Sequence, residues 1–198
     1  MSKPRRPTKE QVAAAYGKRV ADVIAPGLAV LFCGINPGLY SGATGHHFAR
    51  PGNRFWPALH LSGFTDRLLE PYEERALLDR GLGVTNLVAR ATAQAGELST
   101  EELRRGGRRL VRKLETFRPR YLAVLGLGAY RTAFGEPDAG VGPQDRAVGD
   151  TRLWALPNPS GLNAHYQLPA LADEFRKLLS AARPDYDGPA TRTGRGNG

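Results

Sequence analysis

Cysteine is almost missing from this chain: Cys33 is the only one in 198 residues. One cysteine excludes an internal disulfide and a cysteine-based zinc cage, and a reducing cytoplasm fits. Cys33 has no histidine or asparagine placed to activate it, so it reads as a small core residue. Histidine is scarce as well, with four in all. His46 and His47 are adjacent with no third histidine at ligand spacing, and His60 sits in a helical pattern, so no metal site is expected. No apolar run approaches the roughly 20 residues of a membrane span. The basic start, Met1 to Lys9, has no apolar segment behind it and does not read as a secretory signal.

Acidic residues are outnumbered, 19 against 28 lysines and arginines, which leaves a net charge of +9. Such an excess serves solubility or a polyanionic partner, most often nucleic acid. The cations are not confined to the ends, which favours the second reading. The length suits about one domain. Residues 1–19 read as a basic lead-in with an extra helix, 20–182 as a single domain, and 183–198 as a disordered tail rich in Gly, Pro, Asp and Arg.

What is present is organised around Leu28-Ala-Val-Leu-Phe-Cys-Gly-Ile-Asn-Pro-Gly38. Six apolar residues between Pro26-Gly27 and Gly34 predict a strand covered on both faces. The loop behind it places Asn36 just past the strand's carboxyl end, where open α/β sheets bind ligands. Pro37 restricts Asn36 to extended backbone. A second junction of the same kind comes far downstream, where the strand 152–156 runs into Pro157-Asn-Pro-Ser-Gly-Leu-Asn163. Two Asn-Pro loops of this kind point to one cleft between them.

The rest alternates. Thr8-Lys-Glu-Gln11 has the spacing of a capping box, and Val12, Tyr16 and Val20 predict a helix to about Ile24. A long loop, 36–52, follows the first strand, and loops of that length are usually functional. Asn53 starts a helix with Phe55, Trp56, Leu59 and Leu61. Shorter helical signals cover 71–80 and the segment with Tyr130 and Phe134. Ser99-Thr-Glu-Glu102 caps a helix buried through Leu103, Leu110, Leu114 and Phe117. Its other positions include Arg104, Arg105, Arg108, Arg109, Arg112 and Lys113, either a solvated face or a set of phosphate contacts. Strands fit 83–88 and 121–125, residues 135–150 read as an irregular excursion or a hairpin, and Leu168 to Leu179 marks a last helix. Strands alternating with helices predict a parallel sheet with helices on both faces.

Gly34-Ile-Asn-Pro-Gly38 and Asn158-Pro-Ser-Gly-Leu162, with Thr44-Gly-His-His-Phe-Ala-Arg-Pro-Gly-Asn-Arg-Phe-Trp56 between them, resemble the mismatch-specific uracil-DNA glycosylases of the uracil/thymine-DNA glycosylase superfamily. The resemblance runs from about Val20 to Leu179. It implies a three-layer α/β/α fold with a short, mainly parallel central sheet. It implies a monofunctional glycosylase that releases uracil, chiefly from G·U mismatches, with thymine and exocyclic cytosine adducts as further candidates. The implied partner is double-stranded DNA holding uracil or a mismatched pyrimidine. A cytoplasmic monomer is expected, with no cofactor and no membrane association.

Breaking a base–deoxyribose bond builds positive charge on the sugar and negative charge on the base. The enzyme must place a water, stabilise the anion and hold the nucleotide out of the stack. Asn36 suits the water, since its amide oxygen accepts a hydrogen bond, and the resemblance makes it the catalytic position. Taken alone, the loop favours an Asx-turn before Pro37; the second loop reverses that balance. Phe48 either stacks on the base, worth about 1–3 kcal/mol, or fills the core beneath a long loop. The resemblance gives Ile35 backbone contacts to the pyrimidine edge and makes Ser41, Asn158 and Asn86 pocket residues. Leu162 becomes the wedge that enters the stack, with Ser160, Gly161 and Asn163 facing the opposite base. Without the resemblance, Leu162 is a loop leucine folded into the core. Relatives can carry an arginine where this chain has Ala164 and an acidic residue where it has Ala89. Two other functions compete: a non-catalytic α/β nucleic-acid-binding module, and a hydrolase with Ser160 as nucleophile. Ser160 lacks the Gly-x-Ser-x-Gly context.

Overall fold

A computed structural model of the chain describes residues 5–183. The first four residues of the expected lead-in, and the expected tail beyond Arg183, lie outside the described residues. Five strands form one sheet: β1 (Val30–Gly34), β2 (Leu82–Asn86), β3 (Tyr121–Leu125), β4 (Gly142–Val148) and β5 (Thr151–Leu156). Their order is β2-β1-β3-β5-β4. All neighbours are parallel except β4, which lies antiparallel to β5 at one edge.

The central strands are buried on both faces, and their side chains alternate between two cores as the strand period requires. Val30 and Phe32 of β1, Ala123 of β3 and Trp154 of β5 enter one core. Leu31, Cys33, Leu122, Val124 and Leu153 enter the other. The first core is closed by α3 (Phe55–Ser62), α6 (Leu168–Ala182) and a 3-10 helix over Pro71–Arg80. At its centre Phe32 meets Phe55, Phe64 and Phe175 at ring distances of 5.3–5.7 Å. The second core is closed by α4 (Thr100–Phe117) and α5 (Leu127–Phe134). The result is three α/β/α layers.

Three expectations need correction. The first helix does not reach Ile24: α1 covers only Lys9–Ala13. Gly17 turns the chain with φ +76°, and residues 19 and 23 then bridge extended to Arg90 and Val84. Val20 is buried by that extended segment, while Tyr16 stays 57% exposed. The loop after β1 is shortened by α2 (Leu39–Thr44), which Gly45 ends in the left-handed region. Leu61, part of the apolar pattern expected of α3, is exposed. The 135–150 segment takes the hairpin alternative, through β4 and β5.

Because β1, β2, β3 and β5 are parallel, the segments leaving them gather at one edge of the sheet. The chain passes from β1 outward to β2 and then back across to β3, so the strand order switches beside β1. That crevice is where doubly wound sheets hold their ligands.

Candidate base-binding and catalytic site

Asn36 leaves β1 at this crevice, half-buried. Its Nδ2 donates to the Arg90 carbonyl at 3.0 Å and to Thr92 Oγ1 at 2.8 Å. The Thr92 hydroxyl in turn donates to the Gln94 carbonyl, so it faces Asn36 as an acceptor. A carbonyl cannot donate, which fixes the amide's orientation. Both amide hydrogens are spent on the protein, and Oδ1 carries no hydrogen bond among the described residues. The Asx-turn reading would use Oδ1 instead, and the geometry does not have that form. The amide presents a fixed acceptor, the group needed to orient a water.

Phe48 is half-buried and holds φ +52°, a left-handed conformation that side chains rarely adopt. Its neighbours on both sides are tied down. His47 donates from its N–H and its Nδ1 to Glu74, both at 2.8 Å, and its carbonyl accepts from Trp56 Nε1. Ala49 N–H donates to Ser41 Oγ at 3.1 Å. Strain of this kind persists only where the surroundings over-determine it. The ring packs against buried Phe55, tilted by 30° with centroids 4.1 Å apart. Its tip reaches over Gly34, where a Cβ would lie 3.1 Å from Phe48 Cζ and 2.6 Å from Asn86 Oδ1. Gly34 thus leaves open the space between an aromatic ring and an amide, and the Asn86 amide has no partner among the described residues.

Ile35 places its side chain against Gly126 and its carbonyl on Val88 N–H. Ser41 is 5% exposed and holds the Phe48 loop through Ala49. Burial would raise the Glu74 carboxyl, but the hydrogen bonds from His47 and His46 outweigh it and hold the group below the usual carboxylate range. The two histidines are therefore turned onto one carboxylate. Burial pushes the Cys33 thiol well up, which keeps it in the inert thiol form.

The second lip is self-tied. Asn158 Oδ1 accepts from Ser160 N–H, and Asn163 Nδ2 returns to the Asn158 carbonyl, both at 3.0 Å. Ser160 Oγ accepts from Leu162 N–H and meets no histidine, so the nucleophile reading lacks a base. Arg54 staples the loop from outside. Its guanidinium donates to the carbonyls of Gly161, Asn163 and Tyr166 and to the Gln167 side chain. Gly161 passes so close to Gly52 that a Cβ would sit 2.7 Å from its carbonyl oxygen. At the apex Leu162 is 78% exposed, not folded into the core.

Two cavities flank this centre, of about 730 and 650 Å³. Asn86 lines the first and Phe48 the second, while Asn36 lines neither. The cations of α4 divide. Arg108 pairs with Glu101, and Lys113 with Asp22. Arg104 and Arg112 are exposed without an ion pair among the described residues.

Sequence reasoning missed Thr92, Arg54 and Glu74. Arg54 stands inside the 44–56 stretch that shares the resemblance, yet nothing local marks it as the staple of a loop more than 100 residues away. Thr92 and Glu74 carry no local signal at all.

The family model of the uracil DNA glycosylase superfamily matches residues 21–183. The chain belongs to that superfamily, whose members are DNA glycosylases, hydrolases of base excision repair; DNA is its substrate.

Proposed function

We propose that this superfamily member is a monofunctional glycosylase that extrudes uracil from DNA, chiefly from G·U mismatches, and hydrolyses its glycosidic bond to leave an abasic site. Thymine opposite guanine and exocyclic cytosine adducts are further substrates in this reading, and the protein acts as a cytoplasmic monomer. The carrying observation is the Asn36 amide: its donors are spent on Arg90 and Thr92 and its acceptor is unspent.

In this mechanism Asn36 Oδ1 accepts a hydrogen bond from a water and aims its lone pair at the sugar carbon. Phe48 stacks on the extruded base, and the backbone at Ile35 together with the Asn86 amide reads the pyrimidine edge. Leu162 fills the gap in the stack, while the loop through Ser160, Gly161 and Asn163 faces the orphaned guanine. An apolar wedge offsets part of an unstacking cost of a few kcal/mol. No lysine stands in 34–38 or 157–163, so no Schiff base forms and the product strand stays intact.

The test is to incubate the protein with a G·U duplex in EDTA and assay free uracil and strand scission. Uracil release without scission is expected. Binding without release would overturn the assignment in favour of a binding module.

A further inference from the structure

The N-terminal segment lies before the stretch that matches the family model, residues 21–183, yet it is built into the edge of the site. Gly17 N–H donates to the Ala91 carbonyl at 2.9 Å, and Ala91 N–H donates to the Lys18 carbonyl at 2.8 Å. Ala91 stands between Arg90 and Thr92, the two residues that hold the Asn36 amide. Ala15 is fully buried, and α2 reaches it at Gly42, where a Cβ would lie 3.2 Å from the Ala15 carbonyl oxygen. Thr8 and Gln11 close a capping box on α1.

This fixed segment forms one wall of the cavity of about 650 Å³ that Phe48 also lines. Arg5, Arg6 and Lys18 line the same cavity, and so does Arg50, two residues from Phe48. None of the four makes an ion pair among the described residues, and among those residues Glu70 is the only carboxylate lining the cavity. Cations in such excess, with Lys18 on a hydrogen-bonded backbone, beside an aromatic ring, suit a nucleic-acid strand, whose phosphates pair with the charge while a base stacks. The cavity is far larger than one phosphate needs.

We propose that Arg5, Arg6 and Lys18, which line this groove together with Arg50, bind the sugar–phosphate backbone of the target strand on one side of the nucleotide that stacks on Phe48. The inference rests on the glycosylase reading for its substrate, and it adds a phosphate-binding surface that the family-matched residues alone do not supply.

The experiment measures single-turnover base release against enzyme concentration, at several salt concentrations, for the full chain and for the combined Arg5→Ala, Arg6→Ala, Lys18→Ala variant. The half-saturating concentration should rise roughly ten-fold or more. The slope of log affinity against log salt should become shallower by roughly 2–3, about 0.9 for each phosphate that the variant no longer neutralises. Arg50→Glu, in the same groove, should shift both in the same direction. Duplexes shortened on one side of the uracil should abolish the difference between wild type and variant, while shortening on the other side should preserve it. An unchanged slope in both variants, or an equal response to shortening on either side, would overturn the groove. If the wild type releases no base, the glycosylase reading fails instead. The same slopes, measured by anisotropy on the intact duplex, then still decide the groove.

Discussion

The two lips of the cleft use the same dipeptide in opposite ways. Asn36-Pro37 spends its amide donors on the protein and keeps its acceptor unspent. Asn158-Pro159 spends its acceptor on its own turn, at Ser160 N–H. The first asparagine keeps an acceptor unspent, and the second braces its own turn. What the second loop offers instead is apolar: Leu162, held at an exposed apex by Arg54. An Asn-Pro pair at a strand end therefore does not define a role; the hydrogen bonds left over do.

The largest expected effect lies on the first lip. Asn36→Ala should reduce single-turnover base release by about 10²–10³-fold, the usual loss for one positioned polar group, with DNA affinity nearly intact and a melting temperature lowered only modestly, by the two lost hydrogen bonds at about 0.5–1.5 kcal/mol each. Near-normal release would break the comparison at its root. An aspartate scan sharpens it. Asn158→Asp should be well tolerated, since a carboxylate still accepts from Ser160 N–H. Asn36→Asp should lose most activity: it accepts from water, but it cannot donate to the Arg90 carbonyl and faces that oxygen as a repelling neighbour. Equal tolerance at the two positions would erase the distinction.

Much of this was legible in the sequence, and the boundary is physical. Strand and helix positions follow from short-range periodicity, so β1, β3, β5, α4 and α6 stand close to where their apolar residues predict. The first helix misled because Val12, Tyr16 and Val20 share helical spacing by coincidence, and Gly17 breaks the pattern with a positive φ. Asn36 and Leu162 were singled out in the sequence only through the resemblance, since each loop alone favoured an Asx-turn or a core leucine. Thr92, Glu74 and Arg54 were not, because their importance exists only across a folded distance. Glu74 meets His47 27 residues away, and Arg54 meets Asn163 109 residues away.

On the second lip the expected losses are smaller and tied to duplex structure. Leu162→Ala should slow release from a G·U duplex by roughly ten-fold, within the few kcal/mol at stake in unstacking, and slow a single strand less. Arg54→Ala should copy that pattern through loop disorder, and it should also lower the melting temperature, because four acceptors lose their donor together. Equal losses on duplex and single strand for Leu162→Ala would remove the wedge role and leave the second lip a mere wall.

The smallest effect concerns how the first lip holds Phe48 at positive φ. Glu74 accepts from His47 and His46 with its carboxyl held below the usual range, so its bonds add stability while it stays ionised. A group whose folded pKa is depressed contributes in full above its unfolded value, about 4.3 for glutamate. That contribution is lost as pH falls through the lower, folded value. Glu74→Gln keeps the shape but weakens the acceptor toward both rings and His47 N–H, a loss of about 1–3 kcal/mol for a buried group left badly paired. The variant should therefore melt below the wild type at neutral pH. The gap should close as pH falls below about 4.3, because the wild-type carboxyl then protonates and resembles the amide. Base release at neutral pH should fall only a few-fold, through looser seating of Phe48, and Phe48→Ala in the same background should add less than it does alone. A gap that stays constant down to pH 3 would show that the carboxylate charge plays no part in holding the strained turn.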